Sequence, residues 1–126
     1  MITQRTNPQR IVDELSGIDG VRAALIVGRD GIPVADVVMG EDEELMGALS
    51  GAIFATINRS MQRTGLGELE DLVISATAGS IQAMAAGDLV LVTLADEHSN
   101  IGLIRLALRR AVASLLWDDG GESPSF

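Results

Sequence analysis

The 126-residue sequence contains no cysteine and no lysine, and a single histidine. Without cysteine, disulfides, thiolate metal sites and thiol catalysis are all excluded. Without lysine the phosphate loop Gly-x-x-x-x-Gly-Lys-Ser/Thr cannot be built, and Gly65-Leu66-Gly67 lacks the third glycine and following helix of a dinucleotide loop. Positive charge is scarce, with nine arginines facing 18 Asp and Glu for a formal net charge of −9 and a pI near 4.3. Nucleic-acid affinity draws on clustered Lys and Arg that displace counterions from phosphate, so no DNA or RNA partner is expected, and an anionic membrane is disfavoured for the same reason. Long apolar runs are missing too. The longest uncharged stretches, Leu45 to Asn58 and Leu72 to Gly87, are too short and too rich in Gly, Ser and Thr to insert across a bilayer. The opening residues, Met-Ile-Thr-Gln-Arg-Thr-Asn-Pro, lack the apolar core of a signal peptide, which points to a soluble, cytoplasmic protein.

What is present suffices for one core, since 47% of residues are hydrophobic and the mean hydropathy is +0.29. A chain of this length buries roughly two-thirds of the surface its unfolded form exposes, enough to fold without covalent staples. Asn7-Pro8 reads as a helix start, and Ile11, Val12, Leu15 and Ile18 give one apolar stripe before Gly17 or Gly20 ends the helix. Val21 to Val27 is apolar on both alternating sets, whereas Val34 to Met39 contains Asp36, and Gly28-Arg29-Asp30-Gly31 between them is a hairpin signal. A long proline-free helix follows over Glu41 to Arg63. Leu69 to Thr77, Ser80 to Ala85 and Leu89 to Ala95 then read as a meander, and a last helix begins at Ser99 or Asn100 with Ile101, Ile104, Leu108, Ala111, Val112 and Leu115 facing inward. The expected organisation is a flexible lead over 1–7, one domain over 8–117, and a disordered acidic tail over 118–126. The order is α-β-β-α-β-β-β-α. Two strands apolar on both faces require helices on both sides of one antiparallel sheet.

The long helix has two faces to satisfy. Leu45, Leu49, Ala52, Ile53, Thr56 and Ser60 form the stripe expected against the sheet. Gly47, Ser50, Gly51, Phe54, Asn58 and Met61 form a second, small and flat surface, and interior glycines each cost roughly 1 kcal/mol relative to alanine unless another backbone comes close. That surface is expected to pack against its own copy in a homodimer through Ser50, Phe54, Asn58 and Met61, with Phe54 as anchor. The apolar run Leu72, Val73 and Ile74 offers a second contact from an edge strand.

Catalytic or metal-binding constellations are hard to find. Asp96-Glu97-His98-Ser99 sets two carboxylates beside an imidazole, but no second His or Cys exists to complete a metal shell. Both this cluster and Glu41-Asp42-Glu43-Glu44 fit acidic residues favoured by a helix N-terminus. Asn58-Arg59-Ser60 matches a glycosylation acceptor but falls inside a helix. No enzyme activity, cofactor or metal is expected; the sequence argues for an interaction module.

Two segments carry a family resemblance. Gly17-Ile18-Asp19-Gly20-Val21 followed by Ala24-Leu25-Ile26-Val27-Gly28-Arg29-Asp30-Gly31-Ile32-Pro33-Val34-Ala35 resembles the opening of the roadblock/dynein light chain family. Ser99-Asn100-Ile101-Gly102-Leu103-Ile104-Arg105 resembles its final helix, so the likeness runs over roughly residues 8 to 116. It implies a five-stranded antiparallel sheet of order 2-1-5-4-3, the long helix on one face and the terminal helices on the other. It also implies dimers in which long helices pair and third strands join, and platforms for Ras-like small GTPases, most similar to the bacterial MglB-type regulators. On that resemblance the GTPase-binding residues are Glu43, Glu44, Gly47, Gly51, Arg59 and Arg63, and the protein is expected to stimulate GTP hydrolysis. A scaffold without effect on turnover, or a small-ligand sensor, are the alternative readings. The −9 charge is local. Apart from Glu41 to Glu44 and Asp118, Asp119 and Glu122, 11 acids stand against nine arginines, so the acidity fits steering of a basic partner toward one helix end.

Overall fold

The structure, a computed structural model, describes residues 7–40 and 43–117, excluding the side chains of 43–47 and 117. Residues 1–6 of the expected 1–7 lead, the tail expected over 118–126 and the first two residues of the Glu41–Glu44 run lie outside the described residues. Eight elements follow in order: α1 (Pro8–Ser16), β1 (Val21–Gly28), β2 (Pro33–Val38), α2 (Glu43–Arg63), β3 (Asp71–Ala76), β4 (Gly79–Ala86), β5 (Leu89–Asp96) and α3 (Ile101–Trp117). Each start has a local cause. The Asn7 side chain accepts the Gln9 N–H at 2.9 Å with Pro8 at the first helical position, and Asn100 accepts the Leu103 N–H at 3.0 Å at the start of α3. In the β1–β2 turn the Asp30 carboxylate accepts the Ile32 N–H at 3.0 Å and Gly31 takes φ +88°, a conformation that favours glycine.

The strands form one antiparallel sheet of order β2-β1-β5-β4-β3. Its central strands, β1 and β5, are the two whose apolar runs fill both alternating sets, and the meander places β3 at the free edge. One face packs Ala24, Ile26, Met84 and Leu91 against Ile11, Val12 and Leu15 of α1 and Ile104 and Leu108 of α3. The opposite face packs Ala23, Leu25, Val27, Ala83, Val90 and Val92 under α2. A register shift between Val21 and Ala23 moves Val21 to the α1/α3 side with Ala24, which a regular strand would not allow. Ile101, expected to face inward, is exposed, and Ile104 and Leu108 supply the buried stripe of α3.

The helix α2 lies on the sheet with the face opposite to the one expected. Phe54 is 1% exposed and sits in the core with Leu25, Val27, Val90 and Val92, while Ile57 and Met61 pack beside it. Ser50 is buried, and Asn58 turns its side-chain oxygen toward β3 to accept the Leu69 N–H at 2.9 Å. Of the expected intermolecular set, Ser50 and Phe54 therefore belong to the chain's own interior, and Asn58 and Met61 are half-buried on the same inward side. Leu49 is 50% exposed, Ala52, Thr56 and Ser60 are exposed, and Ile53 is half-buried on the flank. The physical reason is burial: turning Phe54 inward beside Leu25, Val27, Val90 and Val92 removes a whole aromatic ring from water, more apolar surface than Leu49 or Ile53 would remove.

Candidate interaction surfaces

Gly51 shows how closely α2 seats. A Cβ there would lie 2.9 Å from both Cα and O of Gly31, so the helix rests backbone to backbone on the β1–β2 turn. The close approach anticipated for this glycine is real, but the neighbour is the same chain. Gly51 is consequently buried and offers no surface to a GTPase. Arg59 and Arg63 are exposed on the outward side of α2 toward its C-terminus, in line with Leu49, Ala52 and Thr56 at helical spacing. Glu43, Glu44 and Gly47 belong to the first turns of the same helix, with side chains outside the described set.

The free edge is the second open surface. Along β3, Val73 and Ile74 are exposed, whereas Leu72 is half-buried against the core under α2. The strand bonds only to β4, so its outer row of backbone groups is open among the described residues.

Arg29, which sequence reading passed over as a turn residue, is the anchor beneath these surfaces. Its Nε donates to the Gly87 carbonyl at 2.9 Å and an Nη to the Leu69 carbonyl at 3.4 Å, and Glu68 lies 3.9 Å away. The guanidinium stands 6.0 Å from the centroid of the Phe54 ring. One side chain thereby ties the β1–β2 turn to the β4–β5 turn, the α2–β3 connection and the helix itself. Its planar fork suits several carbonyls at once, which an ammonium does less well.

The acidic cluster before α3 is a turn. Asp96 accepts the His98 N–H at 2.9 Å and, through its backbone oxygen, the Ser99 hydroxyl at 2.8 Å, while the exposed His98 ring lies 3.8 Å from Glu97. Asp96 and Glu97 precede the helix; its first turn carries no acid. Among the described residues no three His, Asp or Glu side chains are placed to hold a metal ion, and no helix is long and apolar enough to cross a membrane. Polar groups do converge under α3. Gln82 and Thr93 face each other across β4 and β5, Ser80 is two residues along the same face, and Gln82 donates to the Ile101 carbonyl at 3.3 Å. The Ser80 and Thr93 hydroxyls and the Gln82 amide oxygen are buried without a hydrogen-bond partner among the described residues.

These features define a class: a three-layer domain whose polar side chains fasten its own turns, and whose open surfaces are a helix face and a strand edge. Residues 9–95 match the Roadblock/LC7 domain, and the chain belongs to that family. It is 35% identical over 107 residues to the uncharacterized protein MJ1340 of Methanocaldococcus jannaschii, a match covering 84% of this chain and 94% of that protein. In fold it is similar to MglB of Myxococcus xanthus, with a TM-score of 0.77 at 18% identity over 88% of this chain and 93% of that one. The gliding protein MglB of Thermus thermophilus gives a TM-score of 0.74 at 19% identity, covering 93% and 94% respectively. The domain match ends at β5, so the resemblance noted in α3 lies beyond it.

Proposed function

We propose that the protein is a homodimeric regulator that binds a Ras-like small GTPase and stimulates its GTP hydrolysis, acting by contact and without catalytic residues of its own. The observation that carries the reading is the outward face of α2. An amphipathic helix on a sheet normally shows water a polar face, yet this one presents Leu49, Ala52 and Ile53. The open β3 edge with Val73 and Ile74 adds a second self-complementary element. In this proposal Leu49, Ala52, Ile53 and Thr56 take the place of the inward-facing Ser50, Phe54, Asn58 and Met61 at the dimer contact, joined by the β3 run Leu72 to Ile74. The GTPase contacts are Glu43, Glu44, Gly47, Arg59 and Arg63, read from the family resemblance and without Gly51. Acid at one end of the helix and arginine at the other suit a partner with both charges on its docking surface.

Two measurements test it. Sedimentation equilibrium should find a dimer for the natural chain and a folded monomer for Leu49→Arg; a natural chain already monomeric refutes the assembly. Multiple-turnover hydrolysis by an Mgl-type GTPase should accelerate on titration with the dimer, and binding without acceleration would leave a scaffold.

A further inference from the structure

The sheet has two edges, β2 and β3, and they are finished in opposite ways. At β3 the Ala85 N–H donates to the Glu70 carbonyl at 2.7 Å, so Glu70 and Ala85 are a bonded pair. Bonded and non-bonded pairs alternate along an antiparallel ladder, which turns the N–H and C=O of Asp71, Val73 and Ser75 away from β4. All three residues are exposed, and among the described residues no side chain reaches these outward backbone groups.

At β2 the Met39 N–H donates to the Arg22 carbonyl at 2.9 Å, and the same alternation leaves Asp36 a non-bonded partner of Leu25 with its carbonyl turned outward. That carbonyl is already taken. The side-chain amide of Gln9 on α1 donates to it at 3.2 Å and to the Asp13 carboxylate at 3.1 Å, so both amide hydrogens are committed and the group is held at the edge. An added strand, about 4.8 Å outside β2, must put its own N–H on that oxygen and would have to displace the Gln9 amide. Pro33, the first residue of β2, brings no N–H to a new ladder. Ala35 and Val37 pack toward α1, so the half-buried Asp36 carboxylate falls on the opposite face of the strand, and a charge aimed at a covered sheet face is a further obstacle to strand addition. Apolar character would not protect this edge by itself, because Val34 is 50% exposed at its start.

The difference sets how far assembly can run. Pairing β3 with β3 uses the bare edge of both chains and ends there, whereas pairing β3 with β2 leaves a bare edge at each end and repeats without limit. We propose that Gln9, held by Asp13 on the outward carbonyl of Asp36 and joined by Pro33, bars strand addition at β2, so that association through the sheet stops at two chains joined at β3. This rests on the proposed joining of chains at β3 and adds what keeps that joining from propagating. Gln9 is thereby a specificity-determining residue for assembly, although it lies on α1 and outside the contact itself.

Gln9→Ala combined with Pro33→Thr should open the β2 edge. Both residues are exposed, and the Asn7 cap uses the Gln9 backbone N–H, which alanine retains. In sedimentation velocity the natural chain should not exceed two copies, while the double variant, folded by circular dichroism, should grow with concentration to a mean mass at least about twofold higher. Adding Val73→Pro should abolish the growth, since the Val73 N–H faces outward and its loss spares the β4 ladder. Gln9→Ala alone should grow in the same sense, and it decides the matter if Pro33→Thr disturbs the fold. A folded variant that sediments like the natural chain overturns the proposal. So does growth that Val73→Pro leaves unchanged, or a natural chain that already forms open-ended assemblies. A monomeric natural chain whose double variant still grows through β3 supports the barrier while refuting the dimer, so the two readings fail separately.

Discussion

Ile53 and Phe54 are adjacent in sequence and about 100° apart around α2, and the structure gives them different surroundings. Phe54 is 1% exposed among Leu25, Val27, Val90 and Val92, so Phe54→Ala should cost about 3–5 kcal/mol for the lost transfer energy and the cavity left behind. Its ring also underlies Arg29 at 6.0 Å, worth a further ~0.5–1 kcal/mol. Against a total stability of roughly 5–15 kcal/mol, a loss of about 4–5 kcal/mol is severe. For a domain of this size it lowers Tm by about 12–20 °C. Ile53→Ala, at a half-buried flank, should cost the single chain no more than about 1–2 kcal/mol. The assay is urea denaturation followed by far-UV circular dichroism over a wide range of protein concentration. The Phe54→Ala loss should persist at every concentration, whereas the Ile53→Ala effect should grow at concentrations where the natural chain is associated, because assembly stabilises by mass action. A Phe54→Ala protein as stable as the natural one, or one whose deficit vanishes on dilution, would return the ring to an intermolecular contact and refute the assigned orientation of α2.

Three further outcomes follow from the same packing. Gly51→Val should destabilise by about 2–3 kcal/mol despite better helix propensity than glycine, since the Cβ meets Gly31 backbone at 2.9 Å; thermal unfolding measures it, and a more stable variant would contradict that contact. Arg29→Met should cost about 1–3 kcal/mol by leaving the Gly87 and Leu69 carbonyls without their donor, with amide exchange rising first in the β4–β5 turn and the α2–β3 connection; uniform exchange changes would argue against its fastening role. Thr93→Val should be neutral or stabilising by up to ~1 kcal/mol, because the buried hydroxyl it removes has no partner among the described residues, and a clear loss in denaturation would reveal a bond that the hydroxyl makes.

Much of the fold was legible because its signals are local. Asn7-Pro8 and Asn100 cap helices through bonds spanning two or three residues. Asp30-Gly31 turns a hairpin through its own backbone and side chain, and the doubly apolar runs of β1 and β5 place those strands at the centre of any sheet they join. The elements, their order and the edge position of β3 follow from such features, together with the family resemblance for the strand order. Leu69 shows where reading along the chain stops. Its apolarity extends the predicted strand, but in the structure it is a buried plug ahead of β3, held by a bond to Asn58 eleven residues away.

Tertiary structure decided which face of α2 turns inward. Two stripes, one through Leu49, Ala52 and Ile53 and the other through Ser50, Phe54 and Ile57, have equal claim to helical periodicity, and a period carries no information about which side the sheet lies on. The choice was made by residues far away in sequence. Leu25, Val27, Val90 and Val92 share a core with the Phe54 ring, and Gly31 lets Gly51 come into backbone contact. The sequence by itself determined that this helix has two surfaces to satisfy and that glycine within it implies a close backbone neighbour. Packing across the core, a property of several elements at once, determined which surface is left exposed.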